Sequence, residues 1–398
     1  MSAEPARTIA SDRLIDHIRM SARGMQASGI VAAMKHGFGR EGLIPLWAGE
    51  GDLPTPGFIC EAATRSLQTG ETFYTWQRGI PELRAALAAY HARLYGGAND
   101  SERFYVTASG MQSIVIAFAL TLGEGDEVVI PTPSWPNSGA AADAAAAKPV
   151  FVPMLLGPDG FTLDIGRLAD AITPKTRAIF VNTPGNPTGW TATHDELRAI
   201  LGLARQHGLW IVADEIYGRF YYGAAPRAPS FHDVAEAGDR ILFVNTFSKN
   251  WSMTGWRIGW IEADPSLGQV IENLIQASTS GVAVFMQRAA VAALERGEGY
   301  VARQIERARR GREIVSQLAE TGRVCLARPA GAFYQLFSID GEPDSRALAF
   351  RLIDEANVGL APGAAFGPGA EPYLRLCFAR SPESLSEAVE RLTRWLRR

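Results

Sequence analysis

Between about residue 100 and residue 262, short apolar runs alternate with segments that carry a helical pattern of apolar residues. Such alternation predicts parallel strands joined by crossover helices, and therefore a mostly parallel sheet with helices on both faces. The predicted strands are residues 104–107, 127–131, 150–153, 178–182, 209–213, 241–245 and 257–261. Ligands bind at the carboxyl ends of strands in such sheets, so polar residues that directly follow these strands are the candidate site residues.

The length and charge of the chain narrow the class of protein. With 398 residues it exceeds the size of about 250 to 300 residues at which single cores stop growing, which predicts two domains. Its 39 basic and 42 acidic residues give a net charge of -3. Neither nucleic acid nor an anionic membrane is therefore expected as a partner, and small metabolites are the expected ligands.

Cysteine and histidine usage favours a cytoplasmic protein without a metal site. Cys60, Cys325 and Cys377 form no C-x-x-C pair, and the six histidines show no i, i+4 spacing. The first 30 residues lack the apolar core of a signal peptide, and no stretch reaches about 18 uninterrupted apolar residues. We expect a cytoplasmic location and no membrane span.

Lys249 has the most informative neighbours in the sequence. A lysine near a fixed cation in a closed site can have its pKa lowered enough for the neutral amine to form an imine with an aldehyde. Arg257 supplies that cation and can grip a phosphate, Thr246 offers a hydroxyl, and Gly255 and Gly259 allow close backbone approach. The pattern predicts a site for pyridoxal phosphate, a phosphorylated aldehyde. A solvated lysine and arginine flanking an apolar strand are the alternative.

Two turns after predicted strands carry further candidates. Ser109, Gly110 and Met111 form a small-residue turn into a helix N-terminus, whose free amides favour phosphate. An ordinary helix cap is the alternative at this turn. Asn186 lies in a rigid Pro/Gly turn and can present its amide to a phenolic oxygen or a carboxylate, or simply belong to a loop.

Asp214 ends a predicted buried strand and needs a partner there. A protonated pyridine nitrogen is such a partner, because the carboxylate keeps the ring cationic and the ring can then accept electrons. Tyr217 is close enough in sequence to reach the other edge of the ring. Glu215 is expected to be a solvated or structural carboxylate.

The order and spacing of these motifs resemble those of the class I/II aminotransferases of the fold-type I pyridoxal phosphate enzymes. The shared motifs are Asn186-Pro-Thr-Gly189, Asp214-x-x-Tyr217, and Thr246-x-x-Lys249 followed by Gly255-x-Arg257. The resemblance covers nearly the whole chain. It implies an α/β fold with a large cofactor-binding domain over residues 51–295, whose mostly parallel sheet is flanked by helices. A smaller C-terminal α/β domain over residues 296–398 would be joined by the N-terminal segment 1–50.

The resemblance also implies residue roles. Lys249 would hold pyridoxal phosphate as an imine and, once an amino acid displaces it, move a proton between the substrate α-carbon and the cofactor. Asp214 would pair with the pyridine nitrogen, while Asn186 and Tyr217 would hydrogen-bond the phenolic oxygen. Trp135 would stack on the ring, although a core tryptophan is the alternative.

The same resemblance implies how the phosphate and the substrate are held. The phosphate contacts would come from Ser109, Gly110, Met111, Thr246 and Arg257, and from Tyr74 of a second subunit, which requires a homodimer. Arg375 would bind the substrate α-carboxylate, helped by Asn186 and the Gly49 backbone. Without the resemblance, Arg375 would be interpreted as a salt-bridged structural arginine. The bonds Thr132-Pro133 and Asn186-Pro187 are expected to be cis.

The implied reaction moves the amino group of an α-amino acid to a 2-oxoacid. A pyridoxal phosphate-dependent carbon-sulfur β-lyase is the alternative, because the motifs do not separate elimination from transfer. A cofactor-binding regulator would normally carry a DNA-binding segment, for which the residues ahead of Gly49 leave no room. A nicotinamide dehydrogenase is disfavoured because no G-x-G-x-x-G follows a predicted strand.

Two sequence cues disagree about the substrate. Met111 stands where some dicarboxylate-using relatives carry a lysine, which argues against aspartate. The segment Pro-Ser-Trp-Pro-Asn137, in contrast, is closer to the aspartate and aromatic branch. Met111, Trp76 and Phe73 are candidates to line a pocket for neutral or aromatic side chains, with ordinary packing as the alternative.

Overall fold

The computed structural model of the protein describes residues 14–25, 27–97 and 99–398. Its strands are β1 (Ile44–Pro45), β2 (Phe104–Thr107), β3 (Glu127–Thr132), β4 (Lys148–Pro153), β5 (Leu155–Gly157), β6 (Gly160–Thr162), β7 (Thr176–Asn182), β8 (Trp210–Asp214), β9 (Ile241–Thr246), β10 (Gly259–Glu262), β11 (Val324–Leu326), β12 (Tyr334–Ile339), β13 (Val358–Gly359), β14 (Ala361–Pro362) and β15 (Leu374–Cys377). Its α-helices are α1 (Met20–Arg23), α2 (Gly29–Gly37), α3 (Gly57–Gln68), α4 (Pro81–Tyr95), α5 (Gly110–Thr121), α6 (Pro136–Ala144), α7 (Ile165–Asp170), α8 (His194–His207), α9 (Gly268–Thr279), α10 (Val284–Arg296), α11 (Glu298–Ser316), α12 (Ser345–Ala356) and α13 (Pro382–Leu396).

Seven strands form the large sheet, in the order β2-β10-β9-β8-β7-β3-β4. The neighbours from β9 to β4 pair in parallel, and β10 runs antiparallel to both β2 and β9. The predicted α/β fold with a mostly parallel sheet is confirmed, and all seven predicted strands lie in this sheet. The last one was predicted to start too early: Arg257 has a φ of 54°, in the left-handed region, so the strand begins at Gly259.

Local sequence explains why these elements form. Ile211, Val212 and Ala213 in β8 have no exposed surface, as expected for a strand covered on both faces. Helix α8 begins with a capping box between Thr193 and Glu196 and ends at Gly208 in the left-handed conformation. Its buried residues recur at helical spacing, at positions 197, 200, 201 and 204, so one face of the helix packs on the sheet.

A smaller antiparallel sheet has the order β11-β12-β15-β14. The N-terminal part of the chain contacts this region, because β1 pairs in parallel with β13 and the Ala33 face of α2 packs with Ile353 and Phe366. Residues 1–13 of the predicted N-terminal segment lie outside the described residues. The domain limits 1–50, 51–295 and 296–398 stay predictions.

The structure contains both of the cis peptide bonds that the sequence predicts. Thr132-Pro133 and Asn186-Pro187 are cis, as predicted, and Thr183-Pro184 and Glu371-Pro372 are cis as well.

Within the described ranges, none of the helices combines the length and apolar character that crossing a membrane requires.

Candidate active site

A cavity of about 350 Å³ lies at the carboxyl ends of β7, β8 and β9 and reaches the smaller sheet. Eleven predicted site residues line it: Gly49, Gly110, Met111, Trp135, Asn186, Asp214, Tyr217, Thr246, Lys249, Arg257 and Arg375. Ser109 and Tyr74 do not line it. The fold therefore brings together residues that are more than 300 positions apart in the chain, at the edge of the sheet where ligands bind.

Lys249 follows β9 and points its amine into the cavity. Its Nζ donates a hydrogen bond of 2.8 Å to the Gly49 carbonyl and lies 6.0 Å from the centre of the Tyr217 ring. Burial lowers the pKa of Lys249 to about 8, and the nearby positive charges of Arg375 and Arg257 contribute. About a tenth of the amine is thus neutral and nucleophilic at pH 7, far more than for an ordinary lysine.

Asp214, at the end of β8, is a buried carboxylate with little local compensation. It is 2% exposed, and its Oδ1 accepts one long hydrogen bond of 3.4 Å from the Ile216 amide. Burial raises the pKa of Asp214 to about 7, and Lys249 is the cation that opposes this shift. A buried acid in this state is suited to receive a cationic group from a ligand.

Arg375, in β15, is a buried guanidinium. It is 2% exposed, and it donates to Asn186 Oδ1 over 2.9 Å and to the Trp47 carbonyl. Its guanidinium carbon lies 4.6 Å from the centre of the Tyr334 ring. In the part of the chain that the structure describes, Arg375 forms no salt bridge and its Nε has no hydrogen-bond partner. The alternative of a salt-bridged structural arginine thus finds no acidic partner there.

A second buried arginine shows the contrast. Arg219 is 7% exposed and forms a salt bridge with Glu298 through both terminal nitrogens. Buried arginines in proteins are normally compensated in this way. The environment of Arg375, with a carbonyl, an amide oxygen and two aromatic rings, is instead that of a cation prepared for an incoming anion.

Tyr334 is a cavity residue that the sequence did not single out for a role. Its hydroxyl lies 2.7 Å from that of Tyr217, and the two rings pack edge to face. Burial raises the pKa of both phenols, so both stay protonated near neutral pH. A side chain at Gly49 would overlap the Tyr334 hydroxyl, which explains why glycine stands there.

The turn into α5 forms the other end of the cavity. Gly110 is the first residue of the helix, and Ser109 caps it by accepting the Gln112 amide at 3.1 Å. The Ser109 hydroxyl thus serves the turn itself. Ser109 also has a φ of 142°, a backbone strain of the kind that concentrates at functional sites. A Cβ at Gly259 would come within 2.8 Å of the Gly110 nitrogen, so Gly259 permits the close approach that the sequence predicted.

The residues around Thr246 complete this end. The Thr246 hydroxyl donates to the Ile258 carbonyl over 3.0 Å and lies 2.9 Å from the Ser248 hydroxyl. Ser248 also lines the cavity and was missed, although it directly precedes Lys249. Arg257 is exposed and donates to the Thr254 carbonyl at 2.7 Å. The predicted steric need for Gly255 is wrong, since a Cβ there would meet nothing within 4 Å among the described residues.

Three further predicted residues differ in exposure and in position relative to the cavity. Trp135 lines the cavity and is half-buried. Tyr74 is 95% exposed and lies outside the cavity, so its contact with a phosphate in a second subunit stays a prediction. Glu215 is 4% exposed and accepts hydrogen bonds from Ser230 and Phe231, so of its two expected roles the structural one is confirmed.

His91, His232 and Glu262 form a buried cluster apart from the cavity, with ligand atoms within 4.8 Å of one another. The indole of Trp260 donates to His91 Nε2, so the His91 proton lies on Nδ1, which is 2.9 Å from Glu262. His232 Nε2 lies 2.8 Å from the same carboxylate. Because protons occupy these positions, we interpret the cluster as an ionic network in which Glu262 is hydrogen-bonded to His232 and lies next to His91.

Comparison with known proteins places the chain in a family. The sequence profile of the family "Aminotransferase class I and II" matches residues 41–392. The aspartate aminotransferase of Pyrococcus horikoshii is 35% identical over 360 residues, which cover 89% of this chain and 91% of the relative. The aromatic-amino-acid aminotransferase 2 of Thermococcus litoralis is 35% identical over 364 residues, covering 90% of this chain and 93% of that protein.

A solved structure supports the same family assignment. A single mutant of the Thermus thermophilus aspartate aminotransferase has a TM-score of 0.88 and 34% identity, over 95% of this chain and 99% of that chain. The fold, the cavity at the strand ends and the similarity to these relatives all support the same family. The chain therefore belongs to the class I and II aminotransferases and is a transaminase, an enzyme that transfers the amino group of an amino acid.

Proposed function

We propose that the enzyme uses pyridoxal phosphate attached to Lys249 to move the amino group of an α-amino acid to a 2-oxoacid. The observation that carries this proposal is the meeting of two incompletely compensated buried charges, Asp214 and Arg375, around a lysine with a lowered pKa. Asp214 suits a pyridine nitrogen, Arg375 suits a carboxylate, and Lys249 suits an aldehyde. Pyridoxal phosphate with a bound amino acid satisfies all three groups.

The other cavity residues fit the remaining parts of the cofactor. The phosphate would be held by the Gly110 and Met111 amides at the start of α5, by Thr246 and Arg257, and by Ser248. Ser109 lies outside the cavity lining, but its hydroxyl accepts from Gln112 and keeps its own proton for a phosphate oxygen. Trp135 would cover the ring, and Asn186 and Tyr217 would bind its phenolic oxygen. When bound, pyridoxal phosphate supplies an aldehyde that condenses with amines and a ring that accepts electrons from bonds to the α-carbon.

The side chains of the protein then have defined tasks. Arg375 grips the α-carboxylate with its planar fork, and Asn186 holds the guanidinium in place. Lys249 Nζ, kept near the Gly49 carbonyl, would take the proton from the substrate α-carbon and would deliver it to the carbon that comes from the cofactor aldehyde. Asp214, whose pKa falls once a cation sits beside it, stays ionised and stabilises positive charge on the ring nitrogen.

We also propose a homodimer and a cytoplasmic location. Phe73, Tyr74 and Trp76 are 84%, 95% and 67% exposed, and such a group of aromatic side chains is characteristic of a contact surface. A second copy seated there would allow Tyr74 to reach the neighbouring phosphate site. The three cysteines are free, which fits a reducing compartment. Sedimentation of the wild type and of Trp76→Glu tests the dimer, since the variant should dissociate.

One assay tests the main proposal against its alternative. The purified protein is incubated with pyridoxal phosphate, a panel of amino acids, and 2-oxoglutarate as acceptor. Stoichiometric formation of a 2-oxoacid and of the aminated acceptor supports amino transfer. Release of pyruvate and ammonia from cysteine or cystathionine, without aminated acceptor, supports the β-lyase alternative instead.

A further inference from the structure

We infer that the preferred amino-group donor has a neutral, apolar side chain, and that Ile30 and Met34 of α2 form one wall of the pocket that receives it. This inference rests on the proposed function and specifies its substrate. It separates this chain from the relatives whose names specify aspartate.

The positive charges in the described cavity lining are all assigned to other groups. Among the described residues that line it, the cations are Lys249, Arg257 and Arg375. The proposed function uses Lys249 for the cofactor aldehyde, Arg257 for the phosphate and Arg375 for the α-carboxylate. A donor with a second carboxylate would need one more cation, because an unpaired carboxylate loses its hydration on entering the cavity. The described part of the lining contains no further cation for a second carboxylate.

Apolar side chains form a large part of the cavity lining. Ile30, Met34, Met111, Ile114 and Trp135 contribute to the cavity wall. Ile30 and Met34 are four positions apart on α2 and therefore share one face of the helix. This face contributes apolar surface to the cavity. An apolar donor side chain that extends there is stabilised because it leaves water.

The position of α2 is fixed by neighbouring residues on the same side of the helix. Ala33 and Gly37 are buried, and a Cβ at Gly37 would come within 2.6 Å of the Trp47 ring. A Cβ at Gly29 would come within 3.2 Å of the Ala365 side chain. The helix is thus held closely against the smaller sheet region, which keeps Ile30 and Met34 at the cavity. Two flexible methionines, Met34 and Met111, can adapt to side chains of different shape.

The segment that we propose reaches the site of a second copy adds no charge there. The exposed segment that would reach the site of a second copy is Phe73, Tyr74, Thr75 and Trp76, and all four residues are uncharged. The nearest arginine in sequence, Arg78, already pairs with Glu272 and Glu102. We therefore expect methionine, leucine and phenylalanine to be better donors than aspartate and glutamate.

The half-reaction tests this directly, because it needs no acceptor. The holoenzyme is mixed rapidly with one amino acid, and the change in the visible absorbance of the cofactor gives a second-order rate constant. We expect the constants for methionine, leucine and phenylalanine to exceed those for aspartate and glutamate by at least about 100-fold. Equal or faster reaction of aspartate would overturn the inference and leave the proposed function intact. If no amino acid reacts, the proposed function itself fails.

A pair of variants tests the place of α2 in the pocket. Met34→Lys puts a cation on the cavity face, and Met34 is already 39% exposed, so the helix tolerates the change. Val31→Lys puts the same charge on the same helix, at a position that is 45% exposed and does not line the cavity. We expect Met34→Lys to raise the aspartate-to-leucine ratio of rate constants at least about tenfold, and Val31→Lys to leave it unchanged. The same ratio in both variants would refute the assignment of Met34 to the pocket.

Discussion

Arg375 and Asn186 are joined by a hydrogen bond of 2.9 Å between Nη1 and Oδ1, which connects the smaller sheet to the turn that follows β7 of the large sheet. Both side chains are buried, at 2% and 6% exposure. Because Oδ1 of Asn186 accepts from the guanidinium, its Nδ2 remains a donor for another oxygen. One asparagine can thus orient the arginine that we propose binds the substrate carboxylate, and it can still donate to the phenolic oxygen of the proposed cofactor.

Arg375→Ala should raise the KM for amino acids and lower kcat/KM by about 100- to 1000-fold, because a buried charge-assisted contact of about 3 to 4 kcal/mol is lost. Arg375→Lys keeps the charge without the fork and should lie in between. The half-reaction with a simple amine that lacks a carboxylate serves as the control and should be unaffected. An unchanged dependence of rate on amino-acid concentration would rule out this role of Arg375.

Asp214→Asn should lower the rate of amino transfer at least about 100-fold, because the asparagine cannot stabilise a positive charge on the ring nitrogen. The cofactor should still attach, since Lys249 is untouched. Absorbance spectra before and after addition of an amino acid separate the two effects. A variant with normal turnover would contradict the assigned role of Asp214.

The stability of the cofactor-free protein gives a second test of Asp214. Its pKa is raised from 3.8 to about 7, so the folded state binds more protons than the unfolded state between these values. Stability from this group is therefore highest at low pH and falls as pH rises toward 7, by roughly 4 kcal/mol in total. The Asp214→Asn variant has no ionisable group at this position, so it does not lose this stability as pH rises. Thermal unfolding should show the variant to be the more stable protein at about pH 8, with no such advantage near about pH 4.

The covalent attachment of pyridoxal phosphate should accelerate with pH up to about 8 and then level off, because the pKa of Lys249 is lowered to that value. Below this pKa the neutral fraction of the amine rises about tenfold per pH unit. The rate is measured from the absorbance change on adding cofactor to the cofactor-free protein. Lys249→Ala should lose attachment and turnover, whereas Lys175→Ala, at an exposed lysine, should keep both. Attachment in Lys249→Ala would identify a different lysine.

Much of the site was predictable because its signals are local. Asp214, Lys249 and Asn186 each stand at or just after the end of a strand whose apolar run is visible in the sequence, and a parallel sheet brings such ends together. Tyr334 and Met34 were not predictable in this way. They reach the cavity because the smaller sheet and α2 dock against the large sheet, and this docking depends on contacts between distant parts of the chain. The early start predicted for the last strand has a different cause, since a positive φ at a residue other than glycine leaves no sequence signal.

His232 should stabilise the fold in a way that is lost at alkaline pH. Burial alone would lower its pKa, but contacts with Glu215 and Glu262 raise it from 6.5 to about 9. For a group with a raised pKa, the stabilisation is complete below about 6.5 and disappears as pH rises through 9, and the shift corresponds to roughly 3 kcal/mol. His232→Asn should thus unfold at a lower urea concentration than the wild type near about pH 7, with a smaller difference near about pH 10.

His207→Asn, at the exposed end of α8, serves as the control, and its free energy of unfolding should differ from that of the wild type by less than about 0.5 kcal/mol at both pH values. A difference for His232→Asn that does not change with pH would show that the imidazolium is not the source of the stabilisation.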